Sequence, residues 1–324
     1  MKAVLHTTYG GPEVLRFTDV EPPSLADRDV LVRTRAASVN ARDWHLLRGD
    51  PYLARLGAPE LGLRGPKLRI RGTDFAGTVD AVGPGVTDLA PGDAVFGEAP
   101  GAFAEYVVAP RERVERAPST LTMAEAAALP LAANTAVMGL REVAGVAAGQ
   151  SVLINGASGG VGLFAVQLAA ADGARVTAVC STRNVETVRS MGAHTVVDYT
   201  REPLTGRYDV VFDLVGNRSF GELRRLLAPG GTLVLSGGGT SEGGSLFGPM
   251  GLVLRAKALA RFVGERVVVL AAEPTAARLA VLRDLADAGV LRPLVERTYP
   301  LAAAADAVRR METEHTRAKI VLTV

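Results

Sequence analysis

Cysteine is almost absent from this sequence, since Cys180 is the only one among 324 residues. A single cysteine excludes an internal disulfide framework and is typical of a protein in the reducing cytoplasm. Long apolar runs are missing too: no stretch approaches the ~18 residues of a membrane-spanning helix, and the N-terminal apolar stretch is too short for a signal peptide. The net charge is only +2 and basic residues form no stripe, which argues against nucleic acid. We therefore expect a soluble cytoplasmic protein without stable membrane insertion.

The pattern of apolar residues changes along the chain. Up to about residue 118, short β-type runs alternate with Gly, Pro and Asp turns, which predicts a mostly antiparallel, partly open β-barrel. An Ala/Leu-rich helical stretch broken by Pro130 follows. Six apolar runs separated by helix-length segments then predict a buried six-stranded parallel sheet. These runs are SVLIN, RVTAVC, HTVVD, DVVFDLVG, GTLVLSG and RVVVLAA.

The predicted fold class is therefore α/β, with two domains. A final strand, KIVLTV, is not needed by the six-stranded sheet and is expected to return to the barrel. We assign residues 1–118 and 294–324 to a barrel domain and residues 119–293 to a nucleotide-binding domain.

A glycine-rich stretch, INGASGGVG at 154–162, follows the first run of the predicted sheet and precedes a helix-length segment. It reads as Ala-x-Gly-x-x-Gly, with alanine replacing the first glycine of the dinucleotide fingerprint. Glycines there let backbone N–H groups approach a pyrophosphate at the positive end of the helix. A tight turn without a ligand is the alternative, but the six-strand context favours a dinucleotide. The expected contacts are Ala157, Ser158, Gly159, Gly160, Val161 and Gly162.

The segment after the second strand indicates which dinucleotide binds. An NAD site usually carries Asp or Glu about 20 residues after the glycines, to bind the ribose hydroxyls. This chain has Ser181, Thr182 and Arg183, which suit a 2′-phosphate that a carboxylate would repel. Tyr199, after the third strand, is a further candidate beside the adenosine phosphate. A solvated loop with one arginine is the alternative; we predict NADPH.

Several stretches together resemble one family over nearly the whole chain: AASVNARDWHLLRG, RGTDFAGTVDAVG, ALPLAANTA, INGASGGVG, RYDVVFDLVG and RAKIVLTV. The chain is similar to zinc-free medium-chain dehydrogenases/reductases of the quinone oxidoreductase (zeta-crystallin) type. The resemblance implies a GroES-like barrel completed by C-terminal residues, a Rossmann domain, and a cleft that holds nicotinamide and substrate.

The resemblance also bears on zinc. Where zinc-dependent relatives carry a cysteine ligand this chain has Asn40, and where they carry His-Glu it has Thr73-Asp74. The third ligand position falls near Leu131, and the four-cysteine structural lobe is missing. The four histidines are scattered without the spacing of a zinc site. We therefore expect no metal.

Without zinc, little is available to stabilise an alkoxide, because no tyrosine is followed by lysine four residues later. A quinone or an α,β-unsaturated carbonyl needs less stabilisation from the protein, because the charge left by hydride transfer spreads onto its oxygen. We predict an NADPH-dependent, zinc-independent oxidoreductase acting on a small apolar quinone or enone. An enoyl thioester reductase, or a low-turnover NADPH-binding redox sensor or structural protein, remains an alternative.

Further site residues follow from the resemblance. Asn40 is expected to be catalytic and to aim its amide at nicotinamide or substrate, the alternative being an amide that closes a turn. Tyr52 is expected to line the substrate entrance, or else to be a packing tyrosine. Thr135 and Lys319 are expected near the cofactor, with Ala318 where relatives have glycine. Val215, Ser236 and Gly237 complete the expected cofactor-binding set. A structural role is expected for Asp43 and a packing role for Cys180. Trp44 and His45 are expected in the core or at the rim.

Residues 239–264 combine a Gly/Ser loop with an apolar, basic helix. A lid over the substrate cleft is favoured for this segment over a membrane-binding or carrier-binding surface.

The strand at 265–272 bears on assembly. It is the sixth strand and should lie at a sheet edge without Pro or Lys inside it. Pairing with a second copy, as in the resembled family, predicts a homodimer that proline at Val268 should disrupt.

Overall fold

The computed structural model describes residues 1–236, residue 251, residues 264–314 and residues 317–324. The chain divides into a first unit, Met1–Asn134 with Glu273–Val324, and a second unit, Thr135–Ala272. No helix in these described ranges is long and apolar enough to cross a membrane.

The strands are β1 (Lys2–Leu5), β2 (Arg16–Asp19), β3 (Asp29–Val39), β4 (Asp74–Val82), β5 (Ala94–Glu98), β6 (Tyr106–Pro110), β7 (Val114–Arg116), β8 (Ser151–Asn155), β9 (Arg175–Cys180), β10 (Thr195–Asp198), β11 (Tyr208–Asp213), β12 (Leu227–Leu235), β13 (Arg266–Val269), β14 (Val295–Pro300) and β15 (Lys319–Thr323). The α-helices are α1 (Ala41–Arg48), α2 (Met123–Ala127), α3 (Pro130–Val137), α4 (Gly160–Ala171), α5 (Val185–Ser190), α6 (Phe220–Arg225), α7 (Ala276–Asp287) and α8 (Ala304–Thr313).

The first unit is built on a seven-stranded sheet in the order β14-β15-β3-β4-β5-β7, with β6 also paired to β3. All its pairings except β14 with β15 are antiparallel. The C-terminal strand β15 joins this sheet through β3, as the sequence predicts. Leucine, valine and phenylalanine side chains from both ends of the unit form its core.

The N-terminal strands belong to the first unit, although they lie outside its seven-stranded sheet. β1 pairs only with β2, in a separate two-stranded antiparallel sheet. Single bridges, Ala3 to Ala104 and Leu5 to Ile70, connect β1 to the rest of the unit. Two isolated bridges do not form a continuous ladder, so β1 lies alongside the larger sheet without extending it.

The second unit contains the predicted six-stranded parallel sheet, in the order β10-β9-β8-β11-β12-β13. Its central strands are buried on both faces, which explains their nearly continuous apolar sequences. The carboxyl ends of these strands meet at one edge, where ligands bind in sheets of this type.

The boundaries of the units differ from those drawn on the sequence. Residues 119–134 and 273–293 lie in the first unit, although the change from strand to helix pattern placed them in the second. Helix α2 packs on β3 and β4, and α7 packs on β7, so these helices cover the first unit's own strands. A change of secondary-structure type marks a domain boundary only where the new elements pack on one another.

β13 lies at an edge of the described sheet, as predicted. The Leu270 N–H donates to the Leu235 carbonyl, so Val268, two residues earlier, also directs its backbone groups towards β12. Val267 and Val269 therefore face the open edge. The expectation that proline at Val268 would disrupt the edge is wrong, because that substitution would break pairing inside the sheet.

Candidate functional site

The glycine-rich loop lies between β8 and α4 in the second unit. Gly156 has φ +87°, a backbone conformation that favours glycine. A Cβ at Gly162 would lie 2.2 Å from the Gly156 carbonyl oxygen, so α4 packs directly on the loop. Gly159 precedes the helix without a side-chain cap, and the first N–H groups of an α-helix have no acceptor within it. This helix end can hold a phosphate.

The other predicted contacts of this loop are arranged around the same turn. Ala157 is fully buried and donates its N–H to the Val179 carbonyl at 3.0 Å. Ser158, Gly160 and Val161 are partly exposed.

The turn after β9 carries the predicted 2′-phosphate residues. Ser181 precedes a short 3-10 helix, and Thr182 and Arg183 are exposed. Tyr199 follows the neighbouring strand β10 and is 49% exposed. The Thr182 hydroxyl donates to the Asp198 carboxylate, a bond that lowers the pKa of Asp198. Because that hydrogen is committed, the Ser181 hydroxyl is a better donor towards a phosphate than the Thr182 hydroxyl.

Asn184 connects the glycine-rich loop to this turn. Its amide nitrogen donates to the Ser158 hydroxyl at 3.0 Å and lies 3.3 Å from the Ser181 hydroxyl oxygen. The side chain is 2% exposed, and its amide oxygen accepts no hydrogen bond from the described residues. Asn184 therefore fixes the distance between the two segments expected to contact different phosphates.

A second polar cluster lies at the carboxyl ends of β8 and β11. The Asn155 amide donates to the Asp213 carboxylate at 2.7 Å and to the Asn217 side-chain oxygen at 3.0 Å. The Val215 N–H lies 3.3 Å from Asp213 Oδ1, and the Ser236 N–H donates to the Asp213 carbonyl at 2.9 Å. Val215 and Ser236 are thus at the expected edge of the sheet. Gly237 lies outside the described residues.

In the first unit, a buried polar network surrounds Lys319. Its ammonium donates to the Asn40 amide oxygen at 2.5 Å and lies 3.7 Å from an Asp74 carboxylate oxygen. That same Asp74 oxygen accepts from the Asn40 amide nitrogen and the Ser38 hydroxyl, each at 3.0 Å. The Asn40 amide is therefore held inside this unit at both ends. Its expected contact with nicotinamide or substrate stays a prediction, as does that of Lys319.

Burial shifts the titration of this network. Desolvation raises the pKa of Asp43 to about 6, and together with the Asp74 charge it raises that of Glu98 to about 8. Desolvation also raises the pKa of Asp74 and lowers that of Lys319, although the two opposite charges offset part of each shift. The Asp43 carboxylate accepts the Asn40 backbone N–H at 2.8 Å, which fits its expected structural role.

The residues at the implied zinc position do not fit a zinc ion. The Asn40 side-chain oxygen accepts a hydrogen bond from the Lys319 ammonium, and the Asp74 carboxylate lies near that same ammonium. The Leu131 side chain has no atom that can coordinate a metal. A divalent cation would lie beside Lys319 and would be repelled. No group of three or more His, Cys, Asp or Glu side chains within the described ranges is arranged to hold a metal.

The remaining predicted residues range from exposed to buried. Tyr52 is 43% exposed, with the Arg55 guanidinium 4.5 Å from its ring centroid. Thr135 is buried in α3 of the second unit. The rings of Trp44 and His45 stack at 3.7 Å. Burial raises the pKa of the Cys180 thiol to about 11, which agrees with a packing role.

Sequence reasoning missed Asn155, Glu98, Asn184 and Asp213. Asn155, Glu98 and Asp213 each end an apolar strand with a polar residue, and that signal was available. Asn184 had no such signal, because its role depends on a contact with Ser158, which lies 26 positions away.

Two family models match separate parts of the chain. The family model described as "Alcohol dehydrogenase GroES-like domain" matches residues 26–119, and the one described as "Zinc-binding dehydrogenase" matches residues 191–322.

Individual relatives match along nearly the full length. The chain is 33% identical to the mitochondrial NAD(P)H oxidoreductase RTN4IP1 of Mus musculus, covering 100% of this chain and 89% of the relative. It is 31% identical to the chloroplastic NADPH-dependent alkenal/one oxidoreductase of Arabidopsis thaliana, covering 99% and 79%. The quinone oxidoreductase of Escherichia coli, solved in complex with NADPH, superimposes with a TM-score of 0.85 at 25% identity, covering 100% of both chains.

Proposed function

Because this chain belongs to the zeta-crystallin-like quinone oxidoreductase family of medium-chain dehydrogenases/reductases, we propose that it is an NADPH-dependent, zinc-independent oxidoreductase. It transfers hydride to a quinone or an α,β-unsaturated carbonyl. Relatives named for quinone and for alkenal/one reduction support this range of acceptors without choosing between them.

The buried network of Lys319, Asn40 and Asp74 is the observation that best supports a reaction without a metal. Asn40 and Asp74 stand where the resemblance puts metal ligands, and their side chains interact with the Lys319 ammonium instead. A simple carbonyl needs a group that stabilises the alkoxide formed on reduction. Quinones and enones delocalise that charge themselves, so the protein's main task is to orient the acceptor.

The second unit provides the residues that would hold NADPH, which when bound supplies a hydride from its nicotinamide ring. The backbone of Gly159, Gly160 and Val161 would bind the pyrophosphate at the start of α4. Arg183 and Ser181 would bind the 2′-phosphate, beside the exposed ring of Tyr199. Contacts from the other expected residues remain part of this proposal: Asn40, Thr135, Val215, Ser236 and Lys319. Tyr52 is proposed on the acceptor side.

Turnover against a panel of acceptors tests the proposal. Loss of NADPH absorbance is expected with quinones and enones and not with simple aldehydes or ketones. Enoyl thioesters in the same panel decide the pathway-reductase alternative. Binding of NADPH without oxidation by any acceptor would instead favour a redox sensor.

Metal analysis tests the zinc-independent part separately. The purified protein should contain no stoichiometric zinc, and chelators should leave the rate unchanged. One tightly bound zinc per chain, required for turnover, would contradict the reading of Asn40, Thr73 and Leu131.

A homodimer through β13 and a cytoplasmic location complete the proposal. The edge position of β13 among the described strands supports the dimer. Two of the relatives above are mitochondrial and chloroplastic proteins, so the location needs direct measurement by cell fractionation.

A further inference from the structure

An unusual concentration of exposed apolar side chains lies in residues 52–69 of the first unit, here called the 52–69 loop. Leu56 is 70% exposed and Leu63 is 68% exposed, more than any other large hydrophobic side chain in the described ranges. Tyr52, in the same loop, is 43% exposed. Isolated exposed leucines are ordinary on protein surfaces, but two of them in one short loop that also exposes a tyrosine indicate a contact surface.

Both flanks of the loop contact Tyr9. The Arg55 guanidinium, next to Leu56, lies 4.1 Å from the centre of the Tyr9 ring. The Tyr9 hydroxyl oxygen lies 2.7 Å from the carbonyl oxygen of Gly62, the residue before Leu63. One tyrosine side chain therefore anchors both segments of the loop that carry the exposed leucines.

The loop is fastened to the unit from within, so the exposure is not that of a loose chain. Leu61 is 2% exposed, and Glu60 forms an ion pair with Arg42. On either side of these anchors, the side chains of Leu56 and Leu63 are exposed.

The exposed charges of the loop are all positive. Arg64, Lys67 and Arg69 are exposed, and none forms an ion pair with a described residue. The only acidic residue in the loop, Glu60, is neutralised by Arg42. Exposed apolar side chains and exposed cations in one loop complement a surface that is negatively charged and apolar just beneath.

We propose that the 52–69 loop docks this protein on membranes that contain anionic phospholipid. Leu56 and Leu63 enter the boundary between headgroups and acyl chains, while Arg64, Lys67 and Arg69 contact the headgroup phosphates. Attachment is peripheral and reversible, because two leucines and three cations are far fewer than a spanning segment contains. This docking does not depend on the proposed reaction, although it would bring the protein to acceptors dissolved in the bilayer.

Vesicle co-sedimentation of the full chain tests the proposal, with no nucleotide or acceptor present. Vesicles of phosphatidylcholine containing one quarter phosphatidylglycerol should bind the protein, and pure phosphatidylcholine should bind it at least about tenfold more weakly. High salt should release it. The Leu56→Ser/Leu63→Ser double variant should lose about tenfold or more in partitioning. Replacing Arg64, Lys67 and Arg69 by Gln should remove the preference for anionic vesicles.

Val281→Ser provides the matched control, because Val281 is an exposed valine on α7, outside the loop. It should bind vesicles like the parent protein, and all variants should show the parent's thermal unfolding. Failure of the parent to bind anionic vesicles would overturn the proposal. So would equal binding by the serine double variant, or capture by an acidic protein surface with no binding to lipid.

Discussion

Glu98 shows how burial and a neighbouring carboxylate together can set the charge of a residue. It pairs in register with Asp74 on the adjacent strand, is 3% exposed, and has one carboxylate oxygen without a partner among the described residues. Desolvation and the Asp74 charge raise its pKa to about 8, so it is protonated in the folded protein at neutral pH. In the unfolded chain the same carboxyl is ionised above its ordinary pKa of about 4.3.

This difference makes stability depend on pH. Between the two pKa values the folded state binds one more proton than the unfolded state, so stability falls as pH rises, by at most about 1.4 kcal/mol per unit for this group. We expect Glu98→Gln, which mimics the protonated form, to flatten the decline between about pH 5 and 8. Urea unfolding across this range measures the slope, with the exposed Glu112→Gln as control. Identical slopes for Glu98→Gln and the parent would contradict the assignment.

Arg183 is the residue on which the choice between NADPH and NADH depends most. A hydrogen bond to a charged group contributes about 1.5–3 kcal/mol, so replacing the guanidinium by a carboxylate should weaken NADPH binding by about tenfold or more. Arg183→Glu should leave NADH binding nearly unchanged, because NADH has no 2′-phosphate. Fluorescence titration gives both dissociation constants. Arg175→Glu, at the other end of β9, is the control, and equal losses for both nucleotides would refute the assignment.

At the scale of elements, Asn184 couples two segments that the sequence keeps apart. The bond to Ser158 connects the start of α4 with the turn after β9. We expect Ser158→Ala and Asn184→Ala each to weaken NADPH and NADH together, because the pyrophosphate is common to both nucleotides.

A double-mutant cycle separates this coupling from two independent losses. If Asn184 acts through Ser158, the double variant should lose little more affinity than Asn184→Ala alone. Fully additive losses would mean that the hydrogen bond does not contribute to nucleotide binding. Thermal unfolding of each variant, measured in parallel, detects any general loss of structure from the buried Asn184.

The elements themselves were largely predictable from the sequence. The six apolar runs gave the parallel sheet because strands buried on both faces cannot tolerate polar interruptions. The network around Lys319 was not predictable, since Lys319 and Asn40 are 279 positions apart and meet only because β15 pairs with β3. The direction of a given backbone N–H could not be predicted from the sequence either, because it follows from the register between strands. Val268 illustrates this.

At the scale of the whole molecule, the edge strand β13 predicts assembly. Val267 and Val269 face away from β12, so their backbone N–H and C=O groups can pair with another strand. Pairing with the same strand of another copy about a two-fold axis would satisfy the outward-facing N–H and C=O groups of both β13 strands. It would also join the parallel sheets of the two copies into one continuous sheet.

Proline at Val269 removes an outward-facing donor while sparing the Leu270 N–H that bonds to β12. We expect Val269→Pro to sediment as a monomer at concentrations where the parent is a dimer. Val268→Pro, which disrupts the inner ladder, should instead lower the thermal unfolding temperature. The pair of variants therefore distinguishes loss of assembly from loss of folding. A parent protein that is monomeric at micromolar concentration, or a Val269→Pro variant that remains dimeric, would show that the molecule does not associate through this edge.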